Sequence, residues 1–146
     1  MEEENIPVPP FESKNNDSIT DIFVTASEIV DFIQILDLKK GSGPDKISHK
    51  MLKIAPENIA EPLQIIFSKS LRQGKYNSSW KIAHVIAILR KGDASLPSNC
   101  RPIYLISCVG KIMERVVYNF FYYYLVKNKL IYEYQSGFLP KHFTIH

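Results

Sequence analysis

The sequence has 146 residues, of which 45% are hydrophobic and 12% aromatic. This length and hydrophobic content are enough for one domain with an apolar core, and the aromatic content is higher than a disordered chain would have. No apolar run approaches the ~20 residues that span a bilayer, and the start, MEEENIPVPP, lacks the features of a signal peptide, so we expect a soluble intracellular protein, cytoplasmic or nuclear, without a membrane partner. The net charge of +3 combines −8 over residues 1–37 with +11 over residues 38–146. The positive charge of the second part favours a polyanionic partner such as nucleic acid. The alternative is that this positive charge is scattered over the surface and serves only solubility.

The N-terminal part of the sequence predicts a tail followed by a helix. Residues 1–18 are acidic and rich in proline, which is typical of a linker or tail. Thr25 and Glu28 form a capping box, and apolar residues then recur at helical spacing. Gly41 and Gly43 are expected to end this helix.

A short helix and a longer one are predicted next. In GPDKISHKMLKIAP, Pro44 fixes one φ angle and Asp45 can bond the backbone of a turn before the short helix. The segment ENIAEPLQIIFSKSLRQGKY predicts a longer helix that ends at Gly74. Pro62 would have to lie in the first turn of that helix or bend it.

The spacing of the hydrophobic residues then changes from the helical pattern to one that predicts two strands of a β-hairpin. Residues 82–89, IAHVIAIL, are almost continuously apolar, which predicts a buried strand. RKGDASLPSNC predicts a loop in which Asp93 has a turn role, and RPIYLIS predicts a second strand whose Pro102 favours an edge or the strand's start. Cys100 and Cys108, the two cysteines of the sequence, are interpreted as reduced structural thiols.

A long helix is predicted to follow the hairpin. Its apolar stripe consists of Val109, Ile112, Met113, Val116, Phe120 and Tyr124. The aromatic run YNFFYYYL favours packing in a core over a platform for stacked bases. The predicted fold class is α+β, with helices packed around a small antiparallel β-hairpin.

Four motifs follow one another along the chain: KKGSGPDKI, PLQIIFSKSLRQGKYNSSWKIAHVIAILRKGD, PSNCRPIYLISCVGKIMERVV and NKLIYEYQSGFLPKHFT. In this order they resemble the N-terminal part of the reverse transcriptase domain of non-LTR retrotransposons, particularly the jockey-like group, over roughly residues 20 to 144. The resemblance implies that residues 19–146 are a partial reverse transcriptase domain. It would comprise the fingers, and the start of the palm, of a right-hand polymerase.

The resemblance also implies site residues and partners. In such polymerases a hairpin of the fingers bends over the incoming nucleotide. A lysine after its first strand and an arginine at the start of its second contact the triphosphate, roles that carry over to Lys91 and Arg101. The possible accessory residues are a further cation of the hairpin and the matches to the family's Q-x-GF segment: Arg90, Gln135, Gly137 and Phe138. The implied partners are an RNA or DNA template-primer and a deoxynucleoside triphosphate; the oligomeric state stays open.

The sequence departs from the family pattern at several positions. The family usually has glycine where Lys46 stands and arginine where Leu139 stands, and the second change puts the template-side contacts of residues 139–144 in doubt. The family's catalytic aspartates, which hold magnesium ions, lie in segments beyond the Q-x-GF motif that do not occur in this sequence.

We therefore expect no catalytic residue, no metal ligand and no cofactor in this chain, although the complete family enzyme uses magnesium. The first interpretation is an RNA-directed DNA polymerase fragment that is inactive alone and exposes apolar surface where the missing palm would pack. The alternative is a nucleic-acid-binding module that retains the basic fingers. A third is an α+β interaction protein without a nucleic-acid role.

Overall fold

The computed structural model describes residues 19, 22–132, 134, 135, 137 and 139. Two compact units are present, residues 21–120 and residues 1–20 together with 121–146. The elements are α1 (Ala26–Gln34), α2 (His49–Ile54), α3 (Pro56–Gln73), a 3₁₀ turn (Ser78–Lys81), β1 (Ala83–Leu89), a 3₁₀ turn (Pro97–Asn99), β2 (Cys100–Ile106) and α4 (Cys108–Lys127). This arrangement confirms the α+β class. None of the helices in the described part of the chain has the length and hydropathy needed to cross a membrane.

Helix α1 begins where the capping box predicted. The hydroxyl of Thr25 accepts a hydrogen bond from the backbone N–H of Glu28 at 3.2 Å, and the Glu28 carboxylate accepts one from the backbone N–H of Thr25 at 2.9 Å. Two donors that the helix leaves unpaired are thereby satisfied. Ile29 and Ile33 follow on the buried face and are fully covered.

The predicted end of α1 is wrong, because the helix stops at Gln34 and not at the glycines. Asp37 gives the physical reason. Its side chain accepts a hydrogen bond from the N–H of Lys39 at 2.9 Å, and its carbonyl oxygen accepts one from the N–H of Lys40 at 3.2 Å. An aspartate that bonds the backbone in this way stabilises a turn at the expense of a continuing helix.

The GPDK segment forms the predicted turn. The N–H of Lys46 donates to the carbonyl oxygen of Gly43 at 3.0 Å, and the Asp45 carboxylate accepts from the N–H of Ile47 at 3.2 Å. Lys46 has a φ of 58°, in the left-handed region that favours glycine. The backbone at this position therefore has a conformation that suits glycine better than lysine.

We expect Lys46→Gly to raise the free energy of unfolding by about 0.5–1 kcal/mol. Relief of the left-handed strain, about 1–2 kcal/mol, exceeds the entropy that glycine adds to the unfolded chain. Urea unfolding measures the change. Lys46→Ala is the control, because it removes the same ammonium group and keeps the Cβ atom. Equal stabilisation by both variants would mean that charge, and not backbone strain, decides the effect.

Helix α3 ends as predicted and begins differently. Gly74 has a φ of 60° and donates its N–H to the carbonyl oxygen of Leu71 at 3.1 Å, a left-handed C-terminal cap. The first position belongs to Pro56, so Pro62 lies in the helix interior and not in the first turn. A proline there removes one backbone hydrogen bond, which the buried face of the helix has to offset.

The core lies within residues 21–120. It combines one face of each helix with the indole of the first 3₁₀ turn, and its buried members are Val24, Ile29, Ile33, Leu52, Ala60, Leu63, Phe67, Trp80, Cys108, Val109, Ile112, Met113 and Val116. The part of the predicted α4 stripe that falls in this unit supplies four of these residues. Both cysteines are free, as predicted.

The burial predicted for the first strand is wrong. β1 and β2 pair only with each other, and every residue of β1 after Ala83 is exposed. Val85 is 58% exposed on one face of the hairpin, and Ile86 is 46% exposed on the other. A continuously apolar strand suits a sheet covered on both faces, and no described element covers these two faces.

The aromatic run of α4 is also more exposed than a core location predicts. Tyr118 is 43% exposed in the larger unit, with the Arg115 guanidinium 5.6 Å from its ring centroid. In the smaller unit Phe121 and Tyr123 are exposed as well. Large apolar side chains are therefore exposed along this helix in both units.

Candidate functional site

The candidate site is the tip of the hairpin. The antiparallel register runs from Ala83 opposite Ile106 to Leu89 opposite Cys100. One further hydrogen bond, from the N–H of Arg90 to the carbonyl oxygen of Asn99 at 2.8 Å, extends the pairing into the loop. The loop between these strands is therefore closed at its base.

The loop is ordered by its own hydrogen bonds. Gly92 has a φ of 78°, and the amide of Asn99 donates to the carbonyl oxygen of Asp93 at 2.9 Å. The Asp93 carboxylate accepts from the N–H of Ser95 at 2.9 Å, and this bond holds the pKa of Asp93 below its ordinary value. The turn role predicted for Asp93 is confirmed, and its carboxylate is bonded within the loop.

The register brings two guanidinium groups to one face of the tip. Arg101 lies opposite Ile88, and Arg90 lies opposite Asn99. Since opposed residues share a face, and residues two apart along a strand share it too, Arg90 and Arg101 are diagonal neighbours. Such neighbours are typically about 7–8 Å apart. Both residues are exposed.

Lys91 follows at the bend after β1 and is exposed as well. Within the described parts of the chain, no carboxylate lies close enough to Arg90, Lys91 or Arg101 to form an ion pair. The tip therefore carries three cations that the described residues leave open to an outside anion. Arg90, which sequence reasoning ranked as accessory, has a place beside Arg101 that the alternation of the strands indicates.

The start of β1 is fixed to the core by Trp80. Its indole ring meets Phe67 and Tyr76 edge to face, with centroid distances of 5.8 and 5.5 Å. The hydroxyl of Tyr76 donates to the Glu114 carboxylate at 3.0 Å, and burial together with this carboxylate raises the pKa of Tyr76 to about 12. These contacts join the base of the strand to α3 and α4.

The end of β2 is fixed where it turns into α4. Ser107 is fully buried, and its hydroxyl accepts from the N–H of Gly110 at 3.2 Å. Gly43 lies so close that a Cβ atom there would be 2.6 Å from the carbonyl carbon of Ile106 and from the nitrogen of Ser107. The glycine of the GPDK segment is thus what allows this junction to pack. The hairpin has a fixed base and an open tip.

The other predicted site residues belong to the smaller unit. Gln135 and Gly137 are exposed, and the Gln135 amide donates to the carbonyl oxygen of Gly137 at 3.4 Å. Phe138 lies outside the described residues. Arg90, Lys91 and Arg101 thus lie on one hairpin tip in the larger unit, whereas the described residues of the Q-x-GF motif belong to the smaller unit.

The described residues offer no grouping suited to a metal ion, since nowhere among them do three His, Cys, Asp or Glu side chains lie together.

Comparison with known proteins connects this hairpin to a family. No protein-family profile matches the chain. It is 32% identical over 122 residues to the RNA-directed DNA polymerase from mobile element jockey of Drosophila melanogaster, which is 83% of this chain and 13% of that protein. It is 30% identical over 123 residues to the probable RNA-directed DNA polymerase from transposon BS of the same species, 84% of this chain and 14% of that protein.

A third relative is the retrovirus-related Pol polyprotein from type-1 retrotransposable element R1 of Bradysia coprophila, 28% identical over 92 residues, which are 62% of this chain and 9% of that protein. These matches confirm the resemblance that the four motifs indicated. The chain spans 13% and 14% of the lengths of the first two relatives. The chain therefore belongs with the jockey-like RNA-directed DNA polymerases of non-LTR retrotransposons, and it corresponds to one segment of them.

Proposed function

We propose that the chain is the fingers segment, with the start of the palm, of an RNA-directed DNA polymerase. In this proposal the hairpin tip binds phosphate groups of a nucleotide or of nucleic acid through Lys91 and Arg101, with Arg90 beside them. The observation that carries the proposal is the tip itself, where three exposed cations without a described carboxylate partner project from a hairpin fixed at its base. The polymerase relatives support the same assignment.

The chemistry follows from the two kinds of cation. A guanidinium group can hold two phosphate oxygens with a planar fork, whereas an ammonium group acts as a point charge. Charge accumulates on phosphate oxygens during phosphoryl transfer, so a cation fixed near them lowers the barrier. The Asp93 carboxylate accepts a hydrogen bond from the loop backbone, and its pKa is lowered by that bond to Ser95.

A second candidate is a nucleic-acid-binding module without polymerisation. The charge of +11 over residues 38–146 favours it, because such a body attracts any polyanion. The two candidates differ in what the tip binds. A polymerase tip is expected to bind inorganic tripolyphosphate in a manner that depends on Lys91 and Arg101. A general nucleic-acid module is expected to bind long RNA with many scattered contacts and tripolyphosphate with none at the tip.

We expect the double variant Lys91→Gln/Arg101→Gln to lower the affinity for single-stranded RNA and to flatten its salt dependence. Each phosphate contact on a single strand contributes about 0.7 to the slope of log affinity against log salt, so loss of both contacts removes about 1.4. Fluorescence anisotropy of a labelled RNA between about 50 and 200 mM salt measures the slope.

The matched control is Lys50→Gln/Lys69→Gln, which removes the same charge from exposed residues of α2 and α3. The control is expected to change the slope much less than the tip variant. Equal losses in the two variants would show that only overall charge matters, and no loss in the tip variant would contradict the phosphate-binding role of the hairpin.

A further inference from the structure

The hairpin has two outer edges, and its hydrogen-bond pattern determines which backbone groups each edge presents. The N–H of Arg90 donates to the carbonyl oxygen of Asn99 directly opposite, so these two residues form a hydrogen-bonded pair. In an antiparallel ladder such pairs alternate with pairs that are not hydrogen-bonded. Every second residue of each strand therefore points its N–H and C=O groups away from the hairpin. On β1 these outward residues are Ala83, Val85, Ala87 and Leu89, and on β2 they include Pro102 and Tyr104.

The outer edge of β2 is protected against further pairing. Pro102, one of its outward residues, has no N–H to donate to a neighbouring strand. Arg101 adds an exposed charged side chain to the same strand. Proline and charged side chains are the means by which proteins commonly keep an edge strand from joining another strand. A strand that docked on β2 would therefore lack at least one hydrogen bond of a regular ladder.

The outer edge of β1 has no such protection. The strand, Ala83–Leu89, contains no proline and no lysine, arginine, aspartate or glutamate. In the described part of the chain, no group bonds its outward N–H and C=O groups. Its four large apolar side chains are between 46% and 58% exposed: Val85, Ile86, Ile88 and Leu89. An uncharged, apolar edge with open backbone groups is a template for another strand.

A second copy of β1 matches this edge. The outward residues lie symmetrically about Ile86, so antiparallel pairing around a two-fold axis at Ile86 places Val85 of one copy opposite Ala87 of the other. Ala83 then lies opposite Leu89, and all outward N–H and C=O groups find partners, about eight hydrogen bonds in total. The side chain of Ile86 meets its own counterpart at the axis. Such a contact uses the same surface on both copies, as in most dimers.

We propose that the chain forms a two-fold dimer in which β1 pairs antiparallel with β1 of a second copy. The product is a four-stranded sheet in the order β2, β1, β1, β2. Both of its outer edges are those that carry Pro102, so the assembly closes at two copies. Four paired strands are also more stable than a two-stranded hairpin that is open on both faces. The dimer contact is the edge of β1, and it is independent of the phosphate binding proposed for the tip.

The size of the contact predicts a weak dimer. A seven-residue strand is about 24 Å long, and pairing along one edge buries much less than the ~1,600 Å² of a standard protein interface. Each copy also has a net charge of +3, so the copies repel one another. We therefore expect dimers to form between micromolar and millimolar concentrations and to become more stable as salt screens this repulsion.

Sedimentation equilibrium of the full chain without nucleic acid tests the proposal. The dimer fraction is expected to rise with protein concentration, and also as salt increases from about 50 to 500 mM. RNA binding at the tip is expected to weaken over the same range, so the two proposals can fail separately. Three results would overturn the dimer: a chain that stays monomeric up to millimolar concentration, growth to species beyond the dimer, or association that weakens with salt.

The variant that tests the edge is Val85→Lys, with an expected loss of at least tenfold in dimer affinity. The two new ammonium groups would be diagonal neighbours across the axis, about 7–8 Å apart. The matched control is Tyr104→Lys, because Tyr104 lies directly opposite Val85 and is 62% exposed against 58%. The control is expected to keep the dimer, since its side chain lies one strand away from the contact. Equal losses in the two variants would contradict pairing at the edge of β1.

Cross-linking tests the register with the strand pairing otherwise unaltered. Ile86→Cys places two thiols opposite each other at the axis, with Cα atoms about 4.5 Å apart, which a disulfide can bridge. Ile88→Cys is the control, because it is exposed to a similar degree but would lie about 13 Å from its counterpart, too far for a disulfide. Both are made with Cys100→Ser, since Cys108 is fully buried. Oxidation is expected to yield a covalent dimer of the first variant only, and equal yields would overturn the proposal.

Discussion

Replacing Gly43 with alanine is expected to lower the free energy of unfolding by about 3 kcal/mol, at the upper end of what an added methyl group costs in a packed site. The new Cβ atom would lie 2.6 Å from the carbonyl carbon of Ile106 and from the nitrogen of Ser107. Both are backbone atoms, and Ser107 is fully buried at the start of α4. Turning a side chain cannot relieve this overlap, so the turn that contains Gly43 has to move away from the junction of β2 and α4.

The control for this prediction is Gly41→Ala, two residues earlier. A Cβ atom there would lie 3.2 Å from a terminal methyl carbon of Leu105, and the flexible end of that side chain can move. We expect a change within about 0.5 kcal/mol. Urea unfolding followed by circular dichroism measures both variants. If Gly43→Ala proves as mild as its control, the close approach of the GPDK turn to β2 is not what holds the base of the hairpin.

Local sequence signals predicted helix ends and turns correctly where the interaction that fixes the end or turn is between residues close in sequence. The capping box of Thr25 and Glu28 gave the start of α1, and Gly74 gave the end of α3, because each signal acts within one helical turn. The hydrogen bond that the Asp45 carboxylate accepts from the N–H of Ile47 is another such local interaction. The end of α1 was not predicted correctly. Asp37 bonds the N–H of Lys39 and stabilises a turn there, so the helix ends before it reaches Gly41 and Gly43.

The burial of the hairpin could not be predicted from its sequence, because apolar residues indicate a covered strand without saying what covers it. Val85 and Tyr104, directly opposed in the register, are 58% and 62% exposed. The residues that cover a strand lie elsewhere in a fold, so the apolar pattern within the strand cannot report whether that cover is present.

The sequence offered candidate site residues without their geometry. The motifs pointed to Lys91 and Arg101 from their places on either side of a loop. That Arg90 shares a face with Arg101 follows only from the register, which depends on which residues of β1 and β2 are opposed.

The second large effect is expected from Phe67→Ala, which should lower the free energy of unfolding by about 3–5 kcal/mol. Phe67 has no exposed surface, and its ring meets the Trp80 indole edge to face at a centroid distance of 5.8 Å. The substitution removes apolar burial, leaves a cavity, and takes away one side of the packing that fixes the start of β1. Domains of this size are commonly stable by only about 5–15 kcal/mol, so the loss would be a large share of the total.

The matched control is Ile65→Ala on the same helix, because Ile65 is 70% exposed and its replacement is expected to change stability by no more than about 0.5 kcal/mol. Urea unfolding gives the free energies, and the near-ultraviolet circular dichroism of the single tryptophan reports its packing. We expect Phe67→Ala to weaken that signal and Ile65→Ala to keep it. A Phe67→Ala variant with unchanged stability and an unchanged tryptophan signal would mean that the base of the hairpin does not depend on this aromatic contact.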